Sequence, residues 1–401
     1  MRRSRLLLAL IAAAASYECG RVGFEKLDDS MALDGGPPPI DASLLPSVCT
    51  DFRNVQQLSL GEKHTCVILT DGHLWCWGAN QWNQLLPGTA AEQLSPIESP
   101  HFTDWRQVQN GEGHICGIRA DGSMWCWGRG LEGQLGQGDG LSHIVPARVG
   151  TDVDWVLLAT GRPHNCGSRM DGSVWCWGND SHGQMGQGTT GGATRSPIRV
   201  GTDTDWIDVQ ARWLHNCALK SDGELWCWGL GRNGELGNGV EMDTGVLQSP
   251  TPGQRWRVLG PGAFHTCAIR QDDTLWCWGA NWSGQTGDGS TISPVLAPQQ
   301  VGTDADWRDV KSGRGHTCAI RNNGTLWCWG ANGNDQLGIG SAGGQSSPVQ
   351  VGTETDWRMV FGGENFTCGL RTDLWCWGLN DQGQLGLGDR MNRDMPQPVC
   401  F

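Results

Sequence analysis

Residues 61–78 read GEKHTCVILTDGHLWCWG, two short runs of β-branched and aromatic residues on either side of Asp71-Gly72. An Asp-Gly pair between such runs is a strong signal for a β-hairpin. The string WCWG returns six more times, and its seven copies begin at Trp75, Trp125, Trp175, Trp226, Trp276, Trp327 and Trp375. A hairpin motif that recurs about every fifty residues is typical of the blades of a β-propeller.

The rest of each repeat indicates two further strands. A DW-xx-V segment stands ahead of the hairpin, and a GQLG turn followed by a Pro-xx-Val segment stands behind it. Helical periodicity is missing from the repeats. We therefore predict an all-β fold, a seven-bladed β-propeller with four-stranded antiparallel blades that occupies residues 49–401.

The two ends of the repeat region indicate how the ring closes. Residues 50–55, TDFRNV, match residues 103–108, TDWRQV, although they stand ahead of the first hairpin. The chain ends after Pro398-Val399, where earlier repeats continue into the next DW segment. We therefore predict that the N- and C-terminal segments close the propeller circularly by sharing one blade, which removes exposed sheet edges.

The motifs GxxHxCxI and DGxLWCWG resemble the repeat of the regulator of chromosome condensation family over roughly residues 50 to 400. The resemblance implies the seven-bladed propeller of that family and, with the features below, an exported bacterial member. The chain departs from the family pattern in the two cysteines of each blade. The last repeat also departs from it, because Phe366 replaces the repeated histidine and Thr372-Asp373 replaces a longer turn.

The N-terminus resembles an export signal. The basic start MRRSR precedes the apolar run LLLALIAAAA, which is too short to span a bilayer. This layout predicts a signal peptide over residues 1–19, and a buried first strand is the alternative. Cleavage after Ala15 and lipidation of Cys19 both stay open. Residues 20–48 contain few apolar side chains and predict a disordered tether.

The seventeen cysteines follow a regular pattern. Each repeat holds one pair, and a three-residue hairpin loop would place its two members directly opposite each other. We predict a disulfide in every blade; reduced, buried thiols are the alternative. The pairs are Cys66 with Cys76, Cys116 with Cys126, Cys166 with Cys176, Cys217 with Cys227, Cys267 with Cys277, Cys318 with Cys328, and Cys368 with Cys376. A further bond between Cys49 and Cys400 would join the ends of the ring.

The charge balance limits the classes of partner. The chain has 29 basic and 42 acidic residues, a formal net charge of −13. An acidic surface repels phosphate backbones, so we predict no nucleic-acid partner. Membrane contact is expected only through a lipid anchor on Cys19.

Residue types that invite a catalytic interpretation are repeated too regularly to support one. A residue needed once for chemistry has no reason to recur in six blades, so we predict that the repeated histidines bond between blade turns. They are His64, His114, His164, His215, His265 and His316. The cysteine pairs lack the spacing of zinc or iron–sulfur sites, and no catalytic motif occurs. We therefore predict no enzyme activity, no metal and no cofactor.

Residues that differ between repeats are the candidates for specificity. The position two before the repeated histidine, or before Phe366, changes from blade to blade: Glu62, Glu112, Arg162, Trp213, Ala263, Arg314 and Glu364. Trp82, Trp213 and Trp282 fall outside the repeated tryptophan positions, in predicted loops. We predict that Trp82, Arg162, Trp213, Trp282 and Arg314 contact a partner.

The best-supported function at this point is an exported or surface-anchored protein-binding module that acts as a monomer, with a partner in the envelope or outside the cell. The family resemblance also implies two further activities, inhibition of an exported enzyme and guanine nucleotide exchange. Exchange suits an exported, acidic chain poorly. A hydrolase or lyase would require a cluster of side chains assembled from distant loops.

Overall fold

The computed structural model describes residues 54–85, 87–88, 91–340 and 343–400. The predicted signal peptide, the predicted tether, Cys19 and Cys49 lie outside these ranges. The described residues form seven four-stranded antiparallel sheets and contain no helix. The predicted all-β, seven-bladed propeller is confirmed.

Each blade consists of four consecutive strands. Blade 1 contains β1 (Val55–Leu60), β2 (His64–Leu69), β3 (Leu74–Ala79) and β4 (Glu92–Glu98). Blade 2 contains β5 (Trp105–Asn110), β6 (His114–Arg119), β7 (Met124–Gly128) and β8 (His143–Arg148). Blade 3 contains β9 (Trp155–Thr160), β10 (His164–Arg169), β11 (Val174–Asn179) and β12 (Ala193–Arg199). Blade 4 contains β13 (Trp206–Arg212), β14 (His215–Lys220), β15 (Leu225–Gly229) and β16 (Thr244–Gln248).

The remaining blades follow the same order. Blade 5 contains β17 (Trp256–Pro261), β18 (His265–Arg270), β19 (Leu275–Gly279) and β20 (Val295–Gln300). Blade 6 contains β21 (Trp307–Ser312), β22 (His316–Arg321), β23 (Leu326–Gly330) and β24 (Gln345–Gln350). Blade 7 contains β25 (Met359–Gly362), β26 (Phe366–Leu370), β27 (Leu374–Gly378) and β28 (Arg393–Pro398).

The position of a strand in its blade decides how far it is buried. The first strands of all seven blades line a common channel, where Ala159, Gln210 and Lys311 surround a cavity of about 210 Å³. The second and third strands form the core; in β2, for example, every residue but the last is buried. The fourth strands are the most exposed. The middle strands therefore supply most of the fully buried side chains of each blade.

The predicted sharing of one blade between the two chain ends is wrong. Every blade among the described residues is built from one repeat, because the DW segment pairs with the strand that follows it. The match of residues 50–55 to residues 103–108 is also displaced by three residues. Val55 pairs with Leu69 as Trp105 pairs with Arg119, so Val55 and not Phe52 takes the place of the tryptophan. The turn ahead of the repeated histidine fixes this register.

The ring closes instead by packing blade 7 against blade 1. Trp77 Nε1 and Thr65 Oγ1 of blade 1 both donate to the carbonyl oxygen of Gln384 in blade 7, each at 2.9 Å. The equivalent bonds join blades 2 and 3, where Trp177 Nε1 donates to the carbonyl oxygen of Gln134 at 2.9 Å. The seam between the chain ends is therefore held by the contacts that join the other blades.

The cysteine pairs occupy the register that the hairpins predict. Cys66 lies opposite Cys76, and their sulfurs are 2.15 Å apart. In the shortened hairpin of blade 7, Cys368 still lies opposite Cys376, with sulfurs 2.07 Å apart. The other five pairs have the same arrangement. Cys400 is also disulfide-bonded; its predicted partner Cys49 lies outside the described residues.

Candidate binding face at the mouth of the central channel

Five of the six repeated histidines form hydrogen bonds to the neighbouring blade. The Nε2–H of His114 donates to Oδ1 of Asn165 in the next blade at 2.9 Å, and Nδ2 of Asn165 donates onward to the carbonyl oxygen of Gln134. In later blades a threonine replaces the asparagine, as in the 2.9 Å bond between His316 and Thr367. All six histidines are fully buried, and burial lowers their pKa values to about 3 or 4. The bonds join strands of neighbouring blades rather than the predicted blade turns, and they hold the blades together.

Seven turns between first and second strands meet around one end of the channel. The positions that vary from blade to blade all line the same small cavity, of about 40 Å³, at this end. We call this set the mouth ring: Glu62, Glu112, Arg162, Trp213, Ala263, Arg314 and Glu364. The non-repeated positions of the sequence are therefore gathered in one place.

Blade 4 breaks the repeat at the mouth. The residue three before the repeated histidine is glycine in the other blades, and a Cβ added at Gly111 would collide with the ring of His114. Blade 4 has Arg212 there, and its guanidinium donates to the carbonyl oxygens of Leu60, at 3.2 Å, and Gly362. These acceptors belong to the first and last blades, so Arg212 spans the channel. Burial lowers its pKa to about 10.

An aromatic strip runs outward from the mouth. Trp213 packs against Phe264 with ring centroids 5.3 Å apart, and Phe264 packs against Trp282 at 5.6 Å. Trp213 has a φ of 49°, in the left-handed region that favours glycine. Trp282, at the outer end of the strip, is 51% exposed. The strip gives this face an apolar surface beside the cavity.

Ion pairs surround the aromatic strip. Arg162 contacts Glu112 at 2.8 Å and Glu62 at 3.5 Å. The guanidinium carbon of Arg162 lies 4.4 Å from the Trp213 ring centroid, and that of Arg314 lies 5.8 Å from the same ring. Arg314 in turn contacts Glu364 at 2.9 Å. The two arginines therefore approach Trp213, and each has a carboxylate partner.

Two electrostatic details complete the site. Burial raises the pKa of Glu62 to about 7; Arg162 opposes this shift, whereas Glu364 and Glu112 add to it. Arg129 contacts Glu112, and its guanidinium carbon lies 5.6 Å from the ring centroid of Trp82. Trp82 is thereby connected to the mouth ring through Arg129 and Glu112.

The structure brings all five predicted contact residues to one end of the propeller. Arg162, Trp213 and Arg314 belong to the mouth ring, Trp282 joins them through Phe264, and Trp82 joins them through Arg129. Three linking residues were not predicted from the sequence: Phe264, Arg129 and Arg212. Arg212 could have been identified from the sequence, because it replaces a glycine that the other repeats share. Phe264 and Arg129 occupy positions that vary without an evident pattern.

Metal sites and membrane-spanning helices are not found among the described residues. Among the described residues, no group of three or more histidine, cysteine, aspartate or glutamate side chains is arranged to hold a metal ion. The part of the chain that the structure describes has no helix long and apolar enough to cross a bilayer.

Comparisons with known sequences agree with this architecture. The family model described as RCC1-like domain matches residues 141–400. The model of the regulator of chromosome condensation (RCC1) repeat matches residues 55–84 and 105–134. No curated protein matches this chain.

Solved structures with the same fold share little sequence with it. Human WBSCR16 has a TM-score of 0.71 and 22% identity, over 79% of this chain and 87% of its own. Prp20p from Saccharomyces cerevisiae has a TM-score of 0.75 and 19% identity, over 83% of this chain and 87% of its own. The CRINKLY WD40 ectodomain of the Arabidopsis thaliana receptor kinase ACR4 has a TM-score of 0.51 and 18% identity, over 86% of this chain and 98% of its own. These similarities concern the fold.

Proposed function

This chain belongs to the RCC1-like domain family, and from that premise we propose that it is an exported module that binds a protein at the channel mouth. The observation that carries the proposal is the convergence of the non-repeated residues on one face. Arg162, Trp213 and Arg314 lie in the mouth ring, and the aromatic strip extends to Trp282. Tryptophan and arginine are enriched among the residues that dominate binding energy in protein interfaces.

Two further observations support a protein partner. Trp213 occupies a left-handed backbone conformation, and strain of this kind concentrates at functional sites. The structure of Prp20p is described together with its binding to Gsp1p and histones, which are proteins. The first point favours a face kept for recognition, and the second favours a protein as the ligand.

We also propose export to the periplasm, the cell surface or the medium, with Cys19 as the attachment point of a lipid if it is retained. The support is the seven hairpin cysteine pairs at bonding distance, since such bonds persist in oxidising compartments. The basic and apolar start of the chain favours the same conclusion.

We propose no catalytic role for the mouth ring. Its carboxylates each contact an arginine: Glu62 and Glu112 contact Arg162, and Glu364 contacts Arg314. This pairing favours a structural and recognition role for the acids. Inhibition of an exported enzyme would be one form of the proposed binding, recognised by loss of that enzyme's activity in the complex.

The experiment compares capture of partners by matched variants. Wild-type protein, Trp213→Ala and Trp282→Ala are immobilised and exposed to envelope and extracellular extracts, and bound proteins are quantified by mass spectrometry. We expect at least one protein to be retained by the wild type and to fall about tenfold or more with each variant, because hot-spot tryptophans carry a large share of binding energy.

A variant at the other end of the propeller provides the control. Met170 is 78% exposed and lies in the hairpin between β10 and β11, away from the mouth. Met170→Ala should capture the partner as the wild type does. A partner that all three variants retain equally would contradict binding at this face, provided that circular dichroism shows each variant to be folded.

A further inference from the structure

In the ion pairs of the mouth ring, each arginine side chain is more exposed than its glutamate partners. The side chain of Arg162 is 38% exposed, whereas its partners Glu62 and Glu112 are 16% and 23% exposed. The side chain of Arg314 is 48% exposed and that of Glu364 is 12%. The carboxylates therefore lie beneath the guanidinium groups. The arginines are therefore the more exposed charges at the mouth, although the mouth ring holds three glutamates and two arginines.

The neighbouring loops carry exposed charges of both signs, since Glu241 is exposed in the same loop between β15 and β16 as Arg232. Arg232, in the loop between β15 and β16 at the same end, is 68% exposed, while its partner Asp243 is 12% exposed. Arg129 is only 19% exposed and is enclosed between Glu112 and Glu132, so it adds little exposed charge. Lys63 and Asp381 form a pair of similar exposure, 38% and 42%, which is nearly neutral.

The cavity at the mouth is the size of a small polar group. Its volume of about 40 Å³ corresponds to roughly three water molecules, which is about the size of a carboxylate group. Arginine guanidinium groups bind carboxylates through two parallel hydrogen bonds. Both Arg162 and Arg314 reach this cavity, and the aromatic strip starts at its edge with Trp213.

We propose that the partner presents an acidic protein loop to the mouth. One aspartate or glutamate carboxylate enters the cavity and bonds to Arg162 and Arg314, and an adjacent aromatic or aliphatic side chain packs on the strip formed by Trp213, Phe264 and Trp282. This inference rests on the proposed protein-binding function and specifies the chemistry of the partner. The carboxylate bonds to guanidinium groups that are more exposed than their own glutamate partners.

The test selects ligands without knowledge of the natural partner. A random peptide display library is selected on the immobilised full-length protein, on Trp282→Ala, and on the charge-swapped variant Arg314→Glu/Glu364→Arg. The swap keeps the ion pair but places the carboxylate outward. We expect wild-type selections to be enriched in peptides with an acidic residue next to an aromatic one, and that enrichment to disappear on the swapped variant.

A single peptide then measures the size of the effect. One selected peptide, blocked at both ends, is compared with the same peptide carrying glutamine in place of its glutamate. We expect the glutamine peptide to bind about tenfold more weakly, because it loses a charge-assisted bond to arginine. If the swapped variant does not fold, Arg314→Gln replaces it and should weaken binding of the glutamate peptide alone.

The outcomes separate this inference from the function on which it rests. Peptides that depend on Trp282 but carry no acidic residue would overturn the acidic-loop inference and leave protein binding at this face intact. Peptides indifferent to both Trp213→Ala and Trp282→Ala would contradict the proposed function itself. Tighter binding of a single-stranded oligonucleotide probe than of any selected peptide would also overturn the inference, because the arginines would then serve a phosphate backbone.

Discussion

At the scale of single residues, His64 lacks the interblade hydrogen bond that the other repeated histidines make. It is fully buried, yet neither ring nitrogen has a hydrogen-bond partner. The next blade carries Ile115 at the position where Asn165 or Thr367 accepts a bond from the preceding histidine. A buried polar group without a partner costs about 1 to 3 kcal/mol.

Replacing His64 by phenylalanine should therefore stabilise the protein. Blade 7 already carries Phe366 at this position, packed beside Gly363 as the histidines pack beside their glycines, so the ring fits the site. We expect His64→Phe to raise the free energy of unfolding by about 1 kcal/mol or more, measured by chemical denaturation without reducing agent.

The matched control is the same substitution where the histidine has a partner. His316 bonds to Thr367 at 2.9 Å, so His316→Phe removes that bond and should lower the free energy of unfolding by about 1 kcal/mol. Equal effects of the two substitutions would contradict the importance of the interblade bond.

The residues of the site could be predicted only where the repeat supplied a reference. Arg162, Trp213 and Arg314 were identifiable because equivalent positions in a propeller meet around one axis. Phe264 was not, because its role depends on a contact to Trp282 from another turn of the same blade. Such contacts depend on the course of individual loops, which the repeat does not determine.

At the scale of strands and hairpins, register was predictable where a turn fixed it. The Asp-Gly hairpin determines that Cys66 faces Cys76, and the loss of two residues in blade 7 preserves the pairing. The first strand was predicted in the wrong register because the sequence of residues 50–55, TDFRNV, is so similar to TDWRQV of the next repeat. The actual pairing of Val55 with Leu69 follows from the position of the turn before His64.

The hairpin cysteines lead to a chemical prediction. If each pair is bonded, the fourteen hairpin thiols should not react with iodoacetamide in denaturant without reductant, and all fourteen should react after reduction. Peptide mapping by mass spectrometry assigns the reaction to each blade. Reaction of all the hairpin thiols before reduction would mean that they are packed as free cysteines, and it would remove the main support for export.

At the scale of the whole molecule, the ring places six neutral histidines in its interior. Burial lowers the pKa of His64, His215, His265 and His316 to about 3, and that of His114 and His164 to about 4. In the unfolded chain a histidine has a pKa of about 6.5. The unfolded state therefore binds more protons as the pH falls below that value, and the stability that the neutral histidines contribute is lost.

This difference predicts that the propeller is sensitive to acid. Each histidine loses about 2 kcal/mol between pH 7 and pH 5, so six together lose on the order of 10 kcal/mol, comparable with the stability of an ordinary domain. Glu62, whose pKa is raised to about 7, acts in the opposite sense, because its contribution is lost as the pH rises from 4.5 to 7. One carboxyl offsets only a small part of the effect of six histidines.

The measurement is the free energy of unfolding between pH 7.5 and 4.5 at constant ionic strength. Its slope should steepen below pH 6.5, and His64→Phe should reduce the number of protons taken up on unfolding by about one. An Asp381→Asn variant, altered at an exposed rim position, should keep the slope of the wild type. A profile that stays flat down to pH 5 would mean that the buried histidines take up protons in the folded ring, which their enclosure between blades opposes.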